Sequence, residues 1–400
     1  MKDYFMEDSS GKQLAYLASG KLFFVSEDGK EKEHQSQFGQ EMKDRALKVA
    51  QKNSWKNRPA ETDFLSSRQL WGVDNGNNQA SMKVHFTALA RYTNDSELIY
   101  ALTTPVVGGL FHYDRQKNKE RRLFHKEGMT ISDLARHKKK DQFVCSLRNA
   151  DGTAFIAKVG ETLCDQITEG DCVDEAPSWV DGQENTIVYQ SQGVGRNKDG
   201  FAVGLGPSSI QKLNLSTGDQ EELLYAEDYD FLLPRMTEDG DLFYIKRPYE
   251  SMIKSVPLTT MLKDTILFPF RLGRAFLGFL NFFSLTFTRK PLTSQDGQKA
   301  ESMELDKVFL RGRMIDARDT MNDTKIKKDE APLVPGDWLL IKRSPQGVET
   351  EVAKSVLAYD FDREGNIVFT NGRATFRCSS GKSPEVIFKN KLTETIICLD

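Results

Sequence analysis

An apolar run, a polar turn rich in Asp, Gly or Asn, and a second run of β-branched and aromatic residues recur in this order along the chain. The order is seen in ALARYTNDSELIYAL, DLARHKKKDQFVCSL, APSWVDGQENTIVYQS, LLPRMTEDGDLFYIK and LAYDFDREGNIVFTN, with LAYLASGKLFFVS as a shorter sixth copy. Each copy predicts two antiparallel strands joined by a tight turn. Aligning the turns stacks Tyr16, Tyr92, His137, Trp179, Met236 and Phe361, one large side chain before each turn, at separations of 76, 45, 42, 57 and 125 residues.

An interval of about 40 to 45 residues is the length of one four-stranded propeller blade. Further strands fill the regular intervals: AFIAKV and TLCDQIT after the Cys145 hairpin, and SIQKLNLSTGDQEELLY, turning at Ser216 to Asp219, after the Tyr189 hairpin. The predicted fold is all-β, a single β-propeller of about six four-stranded blades, seven being possible, with two mainly helical insertions. A β-sandwich followed by an α/β module is the runner-up, and the evenness of the central intervals argues against it. Whether ETIICLD near residue 400 pairs with an N-terminal strand is left open by the pattern.

The two long gaps mark the insertions. In the first, residues 38–80, QEMKDRALKVAQKNSWK from Gln40 to Lys56 sets Met42, Ala46, Val49 and Ala50 at helical spacing against Lys43, Asp44, Lys48 and Lys52. This predicts a surface helix whose narrow apolar stripe packs on the propeller flank. The second insertion, residues 257–335, carries DTILFPFRLGRAFLGFLNFFSLTFTRK from Asp264 to Lys290. On a helix over 262–290 its polar positions cluster within less than half the circumference, and Phe268, Phe270, Phe276, Phe279, Phe282, Phe283 and Phe287 occupy the remainder. Spanning a bilayer takes about 20 apolar residues. The uncharged run from Ala275 to Thr288 has only 14. The expectation is therefore a helix lying in the plane of an anionic membrane surface, phenylalanines in the acyl boundary and Arg271 and Arg274 at the headgroups. The alternative is packing against the propeller or a second subunit. Farther on, DKVFLRGRMIDAR is expected to return to the blade as a short strand or helix, and DWLLIKR restores the β pattern.

The stretch PSWVDG, Pro177 to Gly182, followed by LNLSTGD resembles the TolB-type family of β-propellers, and PRMTEDG from Pro234 matches in part. The resemblance implies a fold; it implies no particular role.

Composition narrows the chemistry. A net charge of −3 from interspersed acids and bases lacks the basic excess that nucleic-acid phosphates require, so no nucleic-acid partner is expected. Five scattered cysteines without a CxxC suit reduced thiols, and MKDYFMEDSSGK shows no secretory n- and h-regions, which together point to a cytoplasmic protein, peripheral on the inner face of a membrane. The five histidines make no metal-binding spacing, and there is no GxSxG elbow or phosphate loop. No catalytic residue, metal or cofactor is expected. His137, in the column of large residues, is assigned to core packing, and GVGRNKDGFAVGLGPSS to a long hairpin between blade strands.

One constellation remains. Immediately before the large residues stand Ala15, Arg91, Arg136, Ser178, Arg235 and Asp360. Equivalent points of a closed propeller lie around its channel, so Arg91, Arg136 and Arg235 are candidate ligands for a carboxylate or phosphate, unless each pairs with an acid of a neighbouring blade, such as Asp133, Glu175, Asp230 or Asp360. Three functional readings follow: a non-catalytic scaffold held at a membrane and presenting its faces to a protein or peptide, an enzyme or sensor for a small anionic ligand, and an oligomeric subunit using the Phe-rich helix as its interface.

Overall fold

The computed structural model describes residues 13–26, 28–53, 83–94, 96–149, 151–160, 164–251, 307–316, 331–379, 383–389 and 392–399. The Phe-rich stretch 262–290 lies outside them. Among the described residues no helix is long and apolar enough to cross a membrane.

The chain is all-β and propeller-like, built of four-strand runs in sequence order. The first holds β1 (Leu14–Ala18), β2 (Lys21–Val25) and β3 (Glu31–His34), and the second β4 (His85–Arg91), β5 (Glu97–Thr103), β6 (Val107–Asp114) and β7 (Lys119–Glu127). The third holds β8 (Thr130–Arg136), β9 (Phe143–Arg148), β10 (Ala154–Val159) and β11 (Cys164–Gln166). The fourth holds β12 (Cys172–Trp179), β13 (Thr186–Arg196), β15 (Ser209–Asn214) and β16 (Gln220–Leu224), with β14 (Ala202–Leu205) folded back on the long end of β13. A parallel pairing of Ala154 with Val173 joins the third and fourth runs into one sheet. The next run holds β17 (Tyr229–Met236), β18 (Leu242–Pro248), β21 (Leu339–Arg343) and β22 (Glu349–Ala353), and the last β23 (Ala358–Phe361), β24 (Ile367–Thr370), β25 (Ala374–Cys378) and β26 (Glu385–Lys389). The fourth strand of the first run comes from the far end of the chain: β27 (Thr395–Cys398) pairs antiparallel with β1, Leu14 opposite Cys398 and Leu17 opposite Thr395. This answers the question left open for ETIICLD.

The remaining pair, β19 (Lys307–Leu310) and β20 (Arg313–Asp316), is a hairpin that bonds to no other strand among the described residues. The alternatives expected for DKVFLRGRMIDAR resolve as two strands turning at Arg311 and Gly312, whose φ angles of 46° and 77° lie in the left-handed region that two-residue hairpin turns demand.

Both faces of the strands are apolar because each run packs on two others. Leu17 and Leu22 meet Phe86 and Tyr100; Ile99 and Leu110 meet Ile131 and Cys145; Val144 and Ile156 meet Trp179 and Ile187. Ile210 meets Phe231 and Tyr244, Phe243 and Leu340 meet Tyr359 and Phe369, and Val368 returns to Tyr16 and Ile396. The large side chains of the aligned column take part: Tyr92 lies under the Arg136 guanidinium at 4.7 Å, His137 meets Trp179 edge-on at 4.8 Å, and Phe361 meets Phe243 at 5.0 Å. His137 is buried, and its Nδ1 accepts from the backbone N–H groups of Lys139 and Lys140. Tyr16 departs from the alignment. It stands on β1, the second strand of its run, because β27 supplies the first. In β6, Gly108 is required by close approach: a Cβ there would sit 1.9 Å from the carbonyl oxygen of Met129.

The surface helix, α1, spans Gln37–Asn53. Its start is fixed to the second run: the Glu120 carboxylate accepts from the N–H groups of Gln37 and Phe38, Ser36 Oγ accepts from Gly39, and Phe38 lies 5.0 Å from Phe111. Met42 and Ala46 are half-buried, but Val49 is exposed, so the stripe packs only over its first turns.

His34 on β3 sits among Tyr113, Tyr100, Phe24 and Phe86, its ring centroid 4.1 Å from that of Tyr113. Burial lowers its pKa to about 4 against the opposing pull of Glu120. The native state keeps this imidazole neutral while the unfolded chain protonates near pH 6.5, so stability drains as pH falls from about 6.5 toward 4. Urea unfolding followed by tryptophan fluorescence should show a loss of about 2 kcal/mol from this group between pH 7 and pH 5. His34→Phe should remove that slope, and an equal slope in the variant would contradict the assignment.

Candidate functional site

The first strand of most runs contains a register slip: Phe86/Ala88 in β4, Ile131/Asp133 in β8, Glu175/Ser178 in β12 and Leu232/Arg235 in β17. In β12 and β17 the slip contains Ala176 and Leu233 at φ near 50°, each followed by a proline, Pro177 or Pro234, that has no N–H for the ladder. The bulges separate the early and late parts of these strands. Charged side chains gather at both parts.

At the late end, Asp360 on β23 is the focus. Its buried carboxylate accepts from Arg235 on β17, lies 3.3 Å from the Arg91 guanidinium on β4, and accepts from the N–H of Cys398 on β27 at 2.8 Å. Arg91 also donates to the Phe361 carbonyl at 2.7 Å. Burial alone would raise the Asp360 pKa; the Arg235 and Arg91 guanidiniums outweigh it and hold the carboxyl below its usual range. Two of the three arginines singled out in the sequence are thus brought together on one acid. Arg136 goes elsewhere: it stacks on Tyr92 and stands 3.8 Å from Asp141.

At the early end, Glu175 on β12 pairs with Arg148 on β9 and accepts from Gln190 at 3.4 Å. Burial raises the Glu175 carboxyl, with Arg148 and Arg311 pulling it down and Asp133 pushing it up. Asp230 on β17 binds Arg247 at 2.9 Å, and the guanidinium lies 4.6 Å over the Trp338 ring. Burial lowers the Arg247 pKa to about 10. The β19–β20 hairpin enters this end. Arg313 donates to the Pro248 carbonyl at 2.6 Å and approaches Glu250 and Asp230. Arg311 reaches 3.7 Å from Asp133 on β8 and donates to the Glu394 carbonyl and Thr395 Oγ1.

The acids Asp133, Glu175, Asp230 and Asp360 stand out in the sequence, but their partners Arg148, Arg247, Arg311 and Arg313 do not. The Arg-Gly-Arg string at 311–313 was the available signal, since an Arg-Gly pair suits a two-residue turn and sets Arg311 in the turn and Arg313 beside it, at the tip of a hairpin. A polar cleft of about 520 Å³ also opens between the third and fourth runs, lined by Lys158, Asp165, Cys172, Asp174, Tyr189 and Ser191. Among the described residues no group of His, Cys, Asp or Glu is arranged to hold a metal ion, and Cys145, Cys164, Cys172, Cys378 and Cys398 form no disulfide.

No protein-family model matches the chain, and no curated protein matches it. Solved structures do. TolB from Acinetobacter baumannii is similar at 10% identity with a TM-score of 0.46, over 98% of this chain and 67% of that one. The nidogen/laminin complex is similar at 8% identity and a TM-score of 0.47, over 96% and 97%. Oligogalacturonate lyase from Vibrio parahaemolyticus is similar at 7% identity and 0.38, over 94% and 74%. TolB is thus among the structures this chain is similar to, as the Pro177–Gly182 motif implies. The fold assignment itself rests on the strand order and packing above.

Asp360→Asn should destabilise the protein by about 3 kcal/mol near neutral pH, because two guanidiniums lose their shared carboxylate. Asp360 contributes above the ordinary carboxylate range near 3.8, and the contribution is lost as pH falls through its depressed native value. The gap between wild type and variant in urea unfolding should therefore close in acid. A gap that is absent at pH 7 would refute the shared pairing.

Proposed function

We propose that this chain is a non-catalytic binding module: a closed ring of six four-stranded blades, latched by β27 beside β1, that presents its faces to a protein or peptide partner. The observation that carries this reading is the way the protein's own charges meet across the middle. Asp360 draws in arginines from β4 and β17, and Arg311 spans from β8 to β27, so the central groups already hold one another. The cyclic order of apolar contacts, with Val368 returning to Tyr16 and Ile396, supports the ring of six. The β13–β14 hairpin supports the role of its faces: Asp171 grips Arg196 through Nε and Nη2, and Phe201 beyond it is 62% exposed. An apolar ring held out on an anchored hairpin is a pre-organised contact.

Attachment to a membrane surface, a further clause of this proposal, rests on the Phe-rich composition of 262–290, whose seven phenylalanines and three arginines suit an interface between acyl chains and anionic headgroups. A second reading has its own observation. Arg91 and Arg235 share a single carboxylate, and the uncompensated positive charge favours a small anionic ligand there, as in a sensor or enzyme. Use of the Phe-rich segment as an oligomer interface is the third.

Flotation of the full chain with phosphatidylserine-containing vesicles separates membrane attachment from the oligomer interface. The wild type should rise with the vesicles, and the Phe276→Ser, Phe279→Ser, Phe283→Ser variant should stay at the bottom. A monomeric wild type that stays at the bottom contradicts the membrane clause, and one that stays there as an oligomer favours the interface.

A further inference from the structure

The polar cleft between the third and fourth runs is floored by one face of the fourth sheet. Alternation along the strands sets that face: Asp174 on β12 stands opposite Ser191 on β13, Tyr189 lies two residues before Ser191, and Leu213 on β15 is opposite Ile187. Most of the face is apolar because it packs on the neighbouring run, with Trp179, Ile187, Tyr189 and Leu213 buried against Val144 and Ile156. Asp174, only 2% exposed, breaks the apolar series where the cleft opens.

Its surroundings set Asp174 apart from the other buried aspartates. Asp114 has Lys117, Asp230 has Arg247, Asp360 has Arg235 and Asp362 has Arg377. Asp174 makes no ion pair among the described residues. Its donors are neutral: the Ser191 hydroxyl at 2.6 Å, and the Cys172 thiol, which burial and the Asp174 charge push up to about 12 and so keep protonated. A buried carboxylate without a countercharge is costly. Lys158 lies on the other wall of the cleft, where the β10–β11 register sets it beside Asp165. The Tyr189 hydroxyl is unmatched as well. Those of the buried Tyr100, Tyr244 and Tyr359 donate to Glu120, Glu349 and the Leu233 carbonyl. Tyr189, also 2% exposed, lines the cleft and makes no side-chain hydrogen bond among the described residues.

We infer that this cleft takes a primary alkylammonium group, the end of a lysine side chain of a peptide partner, with its charge on Asp174. This rests on the binding-module reading for the class of partner and adds the chemistry that recognises it. An ammonium carries three N–H donors on a tetrahedral centre. The remaining lone pairs of the Asp174 carboxylate, those of Ser191 Oγ and the Tyr189 hydroxyl oxygen are acceptors on one face of the sheet. Ile167, Leu213 and Leu215 line the same cleft and suit the methylenes of the stem. Because Ser191 already occupies Oδ1 of Asp174, the carboxylate does not offer the two open oxygens that a guanidinium fork grips. Asp165 and Glu169, exposed beside the cleft, add attraction for a cation.

Saturation-transfer NMR of the full chain with acetyl-Gly-Lys-Gly-amide tests the inference. The wild type should saturate the lysine Cδ and Cε protons most strongly, with a dissociation constant of about 1 mM. Asp174→Asn should weaken binding by about tenfold or more and Tyr189→Phe by about threefold. The same peptide acetylated on Nζ should not bind. Absence of saturation in the wild type, equal binding of the Nζ-acetyl peptide, or unchanged affinity in either variant overturns the site, and an arginine peptide that binds as tightly overturns the choice of an ammonium. n-Butylamine is titrated in parallel: binding of the amine without the peptide upholds the chemistry of the cleft and overturns a peptide as its source. Thermal melts accompany each variant. Where Asp174→Asn fails to fold, Tyr189→Phe decides, since it removes no hydrogen bond among the described residues. The binding-module reading stands on the central charge pairs and the β13–β14 hairpin, so a negative result here with intact melts removes the cleft alone.

Discussion

The pairing of β27 with β1 is the constraint on which the remaining structure depends. Four residues from the far end of the chain complete the first sheet, and the same four touch both charged ends of the inner strands. The N–H of Cys398 donates to Asp360, and Thr395 Oγ1 accepts from Arg311. Its side chains work likewise: Ile396 packs toward the last run with Val368, and Ile397 toward the second with Leu89 and Leu98. A short antiparallel ladder is weak alone. Here it is buried on two faces and tied at two ends, and those additions make closure cooperative with the apolar clusters around the ring.

The charged groups obey one rule throughout. A buried ion is tolerated when a countercharge and further hydrogen bonds meet it. Asp360 has two guanidiniums and a backbone N–H; Asp230 has Arg247, the N–H of Ser208 and Arg313; Glu175 has Arg148 and Gln190. Aromatic faces extend the same support, with Trp338 under Arg247 and Tyr92 under Arg136.

Much of the architecture was legible in the sequence because strands and turns are local. The hairpins at Arg91, Arg136, Trp179, Met236 and Phe361 needed only alternating apolar runs and turn residues, and each is present. Tyr16 was misaligned because its run takes its first strand from the chain's other end, and no local signal reports that. The arginine positions were visible but their partners were not. Arg235 and Asp360 are 125 residues apart and Arg91 and Asp360 are 269, so only the closed fold shows that two candidate ligands share one acid. The helix start at Gln37 was likewise set by a distant residue, Glu120, whose carboxylate accepts its first free N–H groups.

Native-state hydrogen exchange at β27 tests the central claim most directly. The amides of Ile397 and Leu399, on the side of the strand that faces β1, should exchange only through global unfolding, with protection equal to that of the buried amides of β5. Exchange at β27 near the rate of a free chain, while β5 remains protected, would show that the ring stands without its latch and would contradict the account.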